Sequence, residues 1–292
     1  MRINHTLRVG LAALLLSSVA LTSANAVTLP AVFAGGEVGQ GIYIDAGYAA
    51  GLAGQPGVKI IDIRAPEAYA AGHIEGAINI PLTSISIEAN GLRNQVPERP
   101  VLESIFSAAG LTYDDTLVLV GDDLPGRAYI AFDQSGFENI HIVEGGIASW
   151  SGALTQVAAT VTPTTFVLDR AKAEIVDKAY VLSKLNTPGV VIIDSRGADD
   201  FKAGSIPGSV NIPIYVSHQG AELFEPEALV AALDALGISK DDEIITTCGS
   251  GNVASNQLAA LRDLGYTNIK LYDGSWGEWG SDPATPKAVA SN

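Results

Sequence analysis

Residues 58–82 read VKIIDIRAPEAYAAGHIEGAINIPL, and residues 190–214 read VVIIDSRGADDFKAGSIPGSVNIPI. Set against each other without a gap, at an offset of 132, the two stretches agree at 12 of 25 positions. The matches include Asp62 with Asp194, Arg64 with Arg196, Gly72 with Gly204, Gly76 with Gly208, Asn79 with Asn211 and Pro81 with Pro213. A second block follows in the same order at an offset of 129: residues 136–140 pair with 265–269, and Glu144-Gly145 with Asp273-Gly274. Two ordered blocks at nearly one offset make the chain a tandem duplication. The reading places one copy at 35–155 and the other at 170–285, with a linker over 156–169 that continues a Thr/Val/Pro-rich stretch at 155–165.

Within each copy, strand and helix patterns alternate. Val190-Val-Ile-Ile-Asp194 is a short β-branched run, as expected of a strand buried on both faces. Pro226 stands where a first helical position belongs, Leu229, Val230, Leu233 and Leu236 recur at helical spacing, and Gly237 marks the stop. A second buried strand, Glu243-Ile-Ile-Thr-Thr247, runs into Cys248 and a glycine-rich turn. Helical character resumes over 252–264, with Val253, Leu258, Leu261 and Leu264 apolar, before Gly265 and a last strand at 269–272. The pattern predicts an α/β protein of two tandem domains, each an open parallel sheet with helices on both faces.

Composition narrows the classes. The chain has 292 residues, 47% hydrophobic and only 17% charged, which excludes disorder and coiled coil. Its 32 acidic residues outnumber 17 basic ones, for a formal charge of −15 that opposes binding to nucleic acid or anionic membranes. A single cysteine rules out an intramolecular disulfide and cysteine-rich zinc sites. Arg2 and Arg8, an apolar run from residue 9 to 16 and Ala24-Asn25-Ala26 predict a signal peptide over 1–26, cleaved after Ala26. The apolar run is short for a membrane span of roughly 20 residues, so the mature protein is expected to be periplasmic or secreted and free of the membrane.

The chemistry of an open α/β sheet sits just past the carboxyl ends of its strands, and Cys248 occupies that place. Gly249 and Gly251 let the loop turn its N–H groups inward, and the following helix adds its positive end. Such a setting favours the nucleophilic thiolate over an inert buried thiol. Together with the paired Asp-x-Arg and Gly-…-Asn-Ile-Pro segments, Cys248-Gly-Ser-Gly251 and 272–279 (YDGSWGEW), the chain resembles tandem-domain rhodaneses, the thiosulfate and 3-mercaptopyruvate sulfurtransferases.

The resemblance implies that Cys248 takes a sulfane sulfur as a persulfide and passes it to a nucleophile such as cyanide or a thiol, with no cofactor and no metal. It assigns the anion cradle to the N–H groups of Gly249, Ser250, Gly251, Asn252 and Val253, and a substrate-binding role to Arg196. Arg196 also has Asp199 and Asp200 as local pairing partners, and Arg64 stands at the equivalent place in a copy with no thiol, so both roles stay open. The first copy carries Gly121-Asp122-Asp123-Leu124 where the second carries the thiol, and is expected to be inactive, structural and a wall of the site. His73 reads as a packing residue, and His141 and His218 have no partner at metal-ligand spacing. Trp279 reads as core and Trp276 as a candidate for the pocket wall.

The Gly-Ser-Gly loop resembles the mercaptopyruvate type, in which a serine joins the proton-transfer chain, whereas thiosulfate enzymes often place cations there. The short, acidic segment after Arg196 lacks the second arginine of the mercaptopyruvate enzymes, which favours thiosulfate as the donor. Phosphatase or arsenate-reductase chemistry on this fold needs an arginine closing the cysteine loop, and none occurs from residue 248 to 255. A persulfide carrier that serves a partner protein without turnover is the remaining alternative.

Overall fold

A computed structural model describes residues 41–122, 125–219 and 223–289. The expected leader at 1–26 lies outside the described residues, as do Asp123 and Leu124. The duplication appears strand by strand. In the first copy the sheet order is Tyr43–Ile44, Ile140–Val143, Thr116–Val120, Val58–Asp62 and Ile78–Asn79. In the second it is Ile175–Val176, Ile269–Tyr272, Glu243–Thr247, Val190–Asp194 and Val210–Asn211. All pairings within both five-stranded sheets are parallel. The central strand of the second sheet is therefore the one that delivers Cys248.

Side chains alternate across a strand, and here the alternation sorts neighbours into different cores. Ile61, Leu117, Leu119, Ile193 and Ile244 enter one apolar cluster built from both copies. Ile60 and Val118 join a second cluster on the other face of the first sheet, and Ile192 and Ile245 a third on the other face of the second. The centres of these strands carry consecutive apolar residues, Ile60-Ile61, Ile192-Ile193 and Ile244-Ile245, because both faces are covered.

The helices that follow the central strands, Gly126–Gln134 and Asn252–Asp263, seal the copies together. All residues of Gly126–Gln134 are buried. The Gly126 N–H donates to Asn256 Oδ1 at 2.7 Å, and a Cβ at Gly126 would lie 2.4 Å from Asn256 Cα. Only glycine permits that approach. At the far end of the pair, Asp133 meets Lys172 at 2.6 Å and Arg262, which in turn binds Glu174 at 2.6 Å.

Three antiparallel pairs, which the strand–helix alternation does not announce, decorate the sheets: His73–Ile74 with Leu154–Thr155, His218–Gln219 with Leu223–Phe224, and Ile87–Ala89 with Leu92–Gln95. The last is a hairpin turned by Asn90-Gly91, at φ +54° and +75°. Positive φ at both central residues matches the twist of the flanking strands, and Asn-Gly tolerates it best.

His218 is buried between the copies, with Nε2 3.1 Å from Tyr43 Oη and Nδ1 3.0 Å from Ser217 Oγ. Desolvation pushes its imidazole down from 6.5 to about 4. Between those values only the unfolded chain takes up the proton. The stability held by neutral His218 is thus complete above pH 6.5 and drains as pH falls toward 4, by about 3 kcal/mol. Urea midpoints followed from pH 7.5 to 4.5 should fall more steeply for the native protein than for His218→Gln. Parallel slopes would assign the acid sensitivity elsewhere.

Candidate functional site

Cys248 opens the turn between Glu243–Thr247 and Asn252–Asp263 and is 2% exposed. The turn is held by Ser275, a fully buried residue at φ +53°. Its Oγ accepts the N–H of Cys248 at 3.2 Å and of Gly251 at 3.0 Å, lies 2.9 Å from Tyr272 O and stands 4.0 Å from Cys248 Sγ. Two further backbone bonds fasten the same segments, Trp276 N–H to Cys248 O and Gly277 N–H to Gly249 O, both at 2.9 Å. Gly251, at φ +81°, stands at the N-cap of the helix.

This geometry narrows the expected cradle. The Gly251 N–H is committed to Ser275, whereas those of Gly249, Ser250, Asn252 and Val253 find no acceptor among the described residues. Gly249 and Ser250 line a cavity of about 90 Å³ with Gly274, Gly277 and, from the first copy's hairpin, Gly91, Leu92 and Arg93. Asn252 and Val253 lie in the first turn of the helix and do not line it, and Val253 packs against the shared core.

The hairpin is the part of the site that sequence reasoning passed over. Asn94 Nδ2 donates to Ser250 Oγ at 2.8 Å, and Gln95 Nε2 to Asp273 O at 3.3 Å. Asn94 takes φ +59°, a left-handed conformation that asparagine tolerates better than most residues. The first copy thus brings side chains of its own against the Cys248 turn. The Asn-Gly dipeptide at 90–91 was the available signal for a hairpin; nothing in sequence linked it to a loop 156 residues on.

A second tie between the copies is ionic. Arg127, fully buried, reaches Asp273 with Nη1–Oδ1 at 2.6 Å and Nη2–Oδ2 at 2.9 Å, and Nη1 also lies 3.4 Å from Ser255 Oγ. Asp273 directly precedes Gly274-Ser275, so the residue that holds the Cys248 turn is anchored by an arginine from the other copy.

Arg196 does not stand at the cavity. Nε and Nη2 grip the Asp194 carboxylate at 2.6–3.1 Å, Nη2 also donates to Gly204 O at 2.7 Å, and its guanidinium lies 4.6 Å from the Trp276 ring centroid. Arg64 repeats this with Asp62 and Gly72 O. The local carboxylate partner is Asp194, not Asp199 or Asp200: Asp199 faces Lys202 at 3.8 Å, and Asp200 offers Arg196 only its carbonyl at 3.4 Å. The shared Asp-x-Arg is a bidentate clamp that ties each strand end to the Gly72 or Gly204 turn. Trp276 is accordingly a platform for Arg196 and no part of the cavity wall, and Trp279 is core, its Nε1 donating to Pro286 O at 2.7 Å.

A wider cleft of about 530 Å³ opens elsewhere between the copies, beside Asp133, His141, Lys172 and Arg262. None of its walls comes from the Cys248 turn, and its facing charges are largely paired. His73 stacks on Tyr69 at 3.7 Å within the first copy. Among the described residues no group of three or more His, Cys, Asp or Glu is placed to hold a metal ion, and no helix is long and apolar enough to cross a membrane.

Known proteins resemble this chain in sequence and fold. The description "Rhodanese-like domain" matches residues 45–153 and again 177–282. A thiosulfate sulfurtransferase of Pseudomonas aeruginosa is 27% identical over 251 residues, 81% of this chain and 93% of that protein. A 3-mercaptopyruvate sulfurtransferase of Escherichia coli is 29% identical over 258 residues, 79% of this chain and 92% of its own. The anaerobic ergothioneine biosynthesis enzyme from Chlorobium limicola shares the fold, with a TM-score of 0.74 at 19% identity over 88% of this chain and 72% of that one. With both copies matched by one family and such relatives along most of its length, the chain belongs to the rhodanese family of sulfurtransferases, in a two-domain form.

Proposed function

We propose that the protein is a thiosulfate sulfurtransferase working through a persulfide on Cys248. The Cys248 thiolate attacks the sulfane sulfur of thiosulfate; the new S–S bond forms on Sγ as the bond to the sulfonate sulfur breaks, and sulfite leaves with the electron pair. Cyanide or a thiolate then attacks the outer sulfur, and Cys248 departs as a thiolate. Gly249 and Ser250, whose N–H groups find no acceptor among the described residues, line the small cavity that adjoins the buried Cys248, where this anionic chemistry would take place.

The observation that favours thiosulfate over mercaptopyruvate is the partner of Ser250. Desulfurating mercaptopyruvate leaves an enolate that needs a proton, whereas sulfite leaves as a stable anion and needs none. A serine that relays protons requires a base beside it. Ser250 Oγ instead accepts from the Asn94 amide, which cannot take up a proton, and no imidazole lines the cavity among the described residues. The cavity of about 90 Å³ also suits a compact donor, ligand clefts more often spanning ~300–1,000 Å³.

Turnover by the purified chain on each donor, with cyanide as acceptor, tests this reading. The expected result is a kcat/KM for thiosulfate at least about tenfold above that for mercaptopyruvate. A preference for mercaptopyruvate would overturn it, and a single loading of Cys248 without turnover would make the protein a carrier. The reading includes export, and the N-terminus of protein recovered outside the cytoplasm should be Val27; an intact Met1 form confined to the cytoplasm would refute that part.

A further inference from the structure

We propose that Arg93, supplied by the copy that has no thiol, is the anion-binding residue of the Cys248 site and sets its preference for oxyanion donors. The inference rests on the sulfurtransferase reading above and carries it to a named side chain. Of the seven residues lining the cavity, Arg93 alone bears a charge; the others are four glycines, a leucine and a serine. The turn itself has no cation from 248 to 255, and Arg196 is committed to Asp194.

Arg93 is exposed and forms no ion pair among the described residues, in contrast to Arg64, Arg127, Arg196 and Arg262, each held by a carboxylate. Asp273, the acidic residue next to the lining glycine Gly274, is occupied by Arg127. Nor is the position of Arg93 a matter of chance on a loose loop. The two residues that follow it pin the hairpin down, Asn94 on Ser250 and Gln95 on the Asp273 carbonyl. An arginine with no ion pair among the described residues is thus carried on a pinned hairpin to the wall of a small cavity, in a protein that is otherwise strongly acidic. Its planar fork matches the oxygens of a sulfonate, and in the transfer step it would face the departing sulfite.

Cys248 is the only cysteine, so its alkylation reports this site alone. The test compares the rates of alkylation by iodoacetate, an anion, and iodoacetamide, its neutral counterpart, in the native protein, Arg93→Gln and Arg93→Lys. These are read beside kcat/KM on thiosulfate and the melting temperature. Arg93→Gln should lower the iodoacetate-to-iodoacetamide ratio by about threefold or more while leaving the iodoacetamide rate and the melting temperature nearly unchanged. The same change should lower kcat/KM on thiosulfate by about 10–100-fold. Arg93→Lys should keep the alkylation ratio and recover only part of kcat/KM, since it retains the charge without the fork. An unchanged ratio in folded Arg93→Gln would overturn the proposal even if the native enzyme turns over thiosulfate. A lowered ratio in a protein that ignores thiosulfate would uphold the anion site and overturn the donor reading instead.

Discussion

Replacing Cys248 with serine is expected to lower sulfur transfer from thiosulfate by at least about 1,000-fold, to background, in a protein that still folds. A hydroxyl is a poor nucleophile toward sulfur and cannot carry the outer sulfur that the acceptor must collect. The substitution is small: Cys248 is 2% exposed, and Ser275 Oγ, 4.0 Å from Sγ, is near enough to partner the new hydroxyl after a slight shift. The cost to stability should stay near 1 kcal/mol, the scale of a buried hydroxyl that finds a hydrogen bond. Intact mass after exposure to thiosulfate gives an independent reading. The native chain, with its single cysteine, should gain about 32 Da for one sulfur atom, and the serine variant nothing. Appreciable turnover by Cys248→Ser would end the persulfide mechanism.

Arg127→Ala is expected to be the most damaging change away from the thiol, costing about 3–5 kcal/mol. It strips both hydrogen bonds from a carboxylate that is 5% exposed and leaves that charge buried without a partner. For a protein of this size, the melting temperature should fall by about 10 °C. Activity should fall further than the folded fraction explains, because Asp273 anchors the segment from which Ser275 holds the Cys248 turn. Combining Arg127→Met with Asp273→Asn removes the stranded charge, and the pair should recover a good part of the lost stability. Additive losses in that cycle would show that the ion pair contributes little and that Arg127 acts by its bulk.

The sheets were legible because the repeat is written in residues that build them. Asp62 and Asp194 end equivalent strands, Asn79 and Asn211 donate to the same pair of carbonyls in each copy, and β-branched runs announce burial on two faces. Cys248 was legible for a related reason, since the strand, the glycines and the helix adjoin it in sequence. Arg196 was legible in one of its two readings, since the presence of Arg64 in the thiol-free copy signalled the structural clamp that both arginines form. Arg93 and Asn94 lay beyond reach, because their roles arise only when one copy is folded against the other. Ser275 was in view but anonymous, as its left-handed backbone is what turns a common serine into the tether of the Cys248 turn.

The helix Gly126–Gln134 has a consequence for how the chain comes into being. Synthesis completes it long before Asn252–Asp263 exists, yet all of its residues are buried in the finished molecule. Until the second half emerges, this helix lacks the partners that half supplies, Asn256 for Gly126 and Asp273 for Arg127, and the face that meets them stays open to water. The late-made half thus supplies part of the apolar cluster that the two copies share, so the early half reaches its finished packing only once synthesis is nearly over.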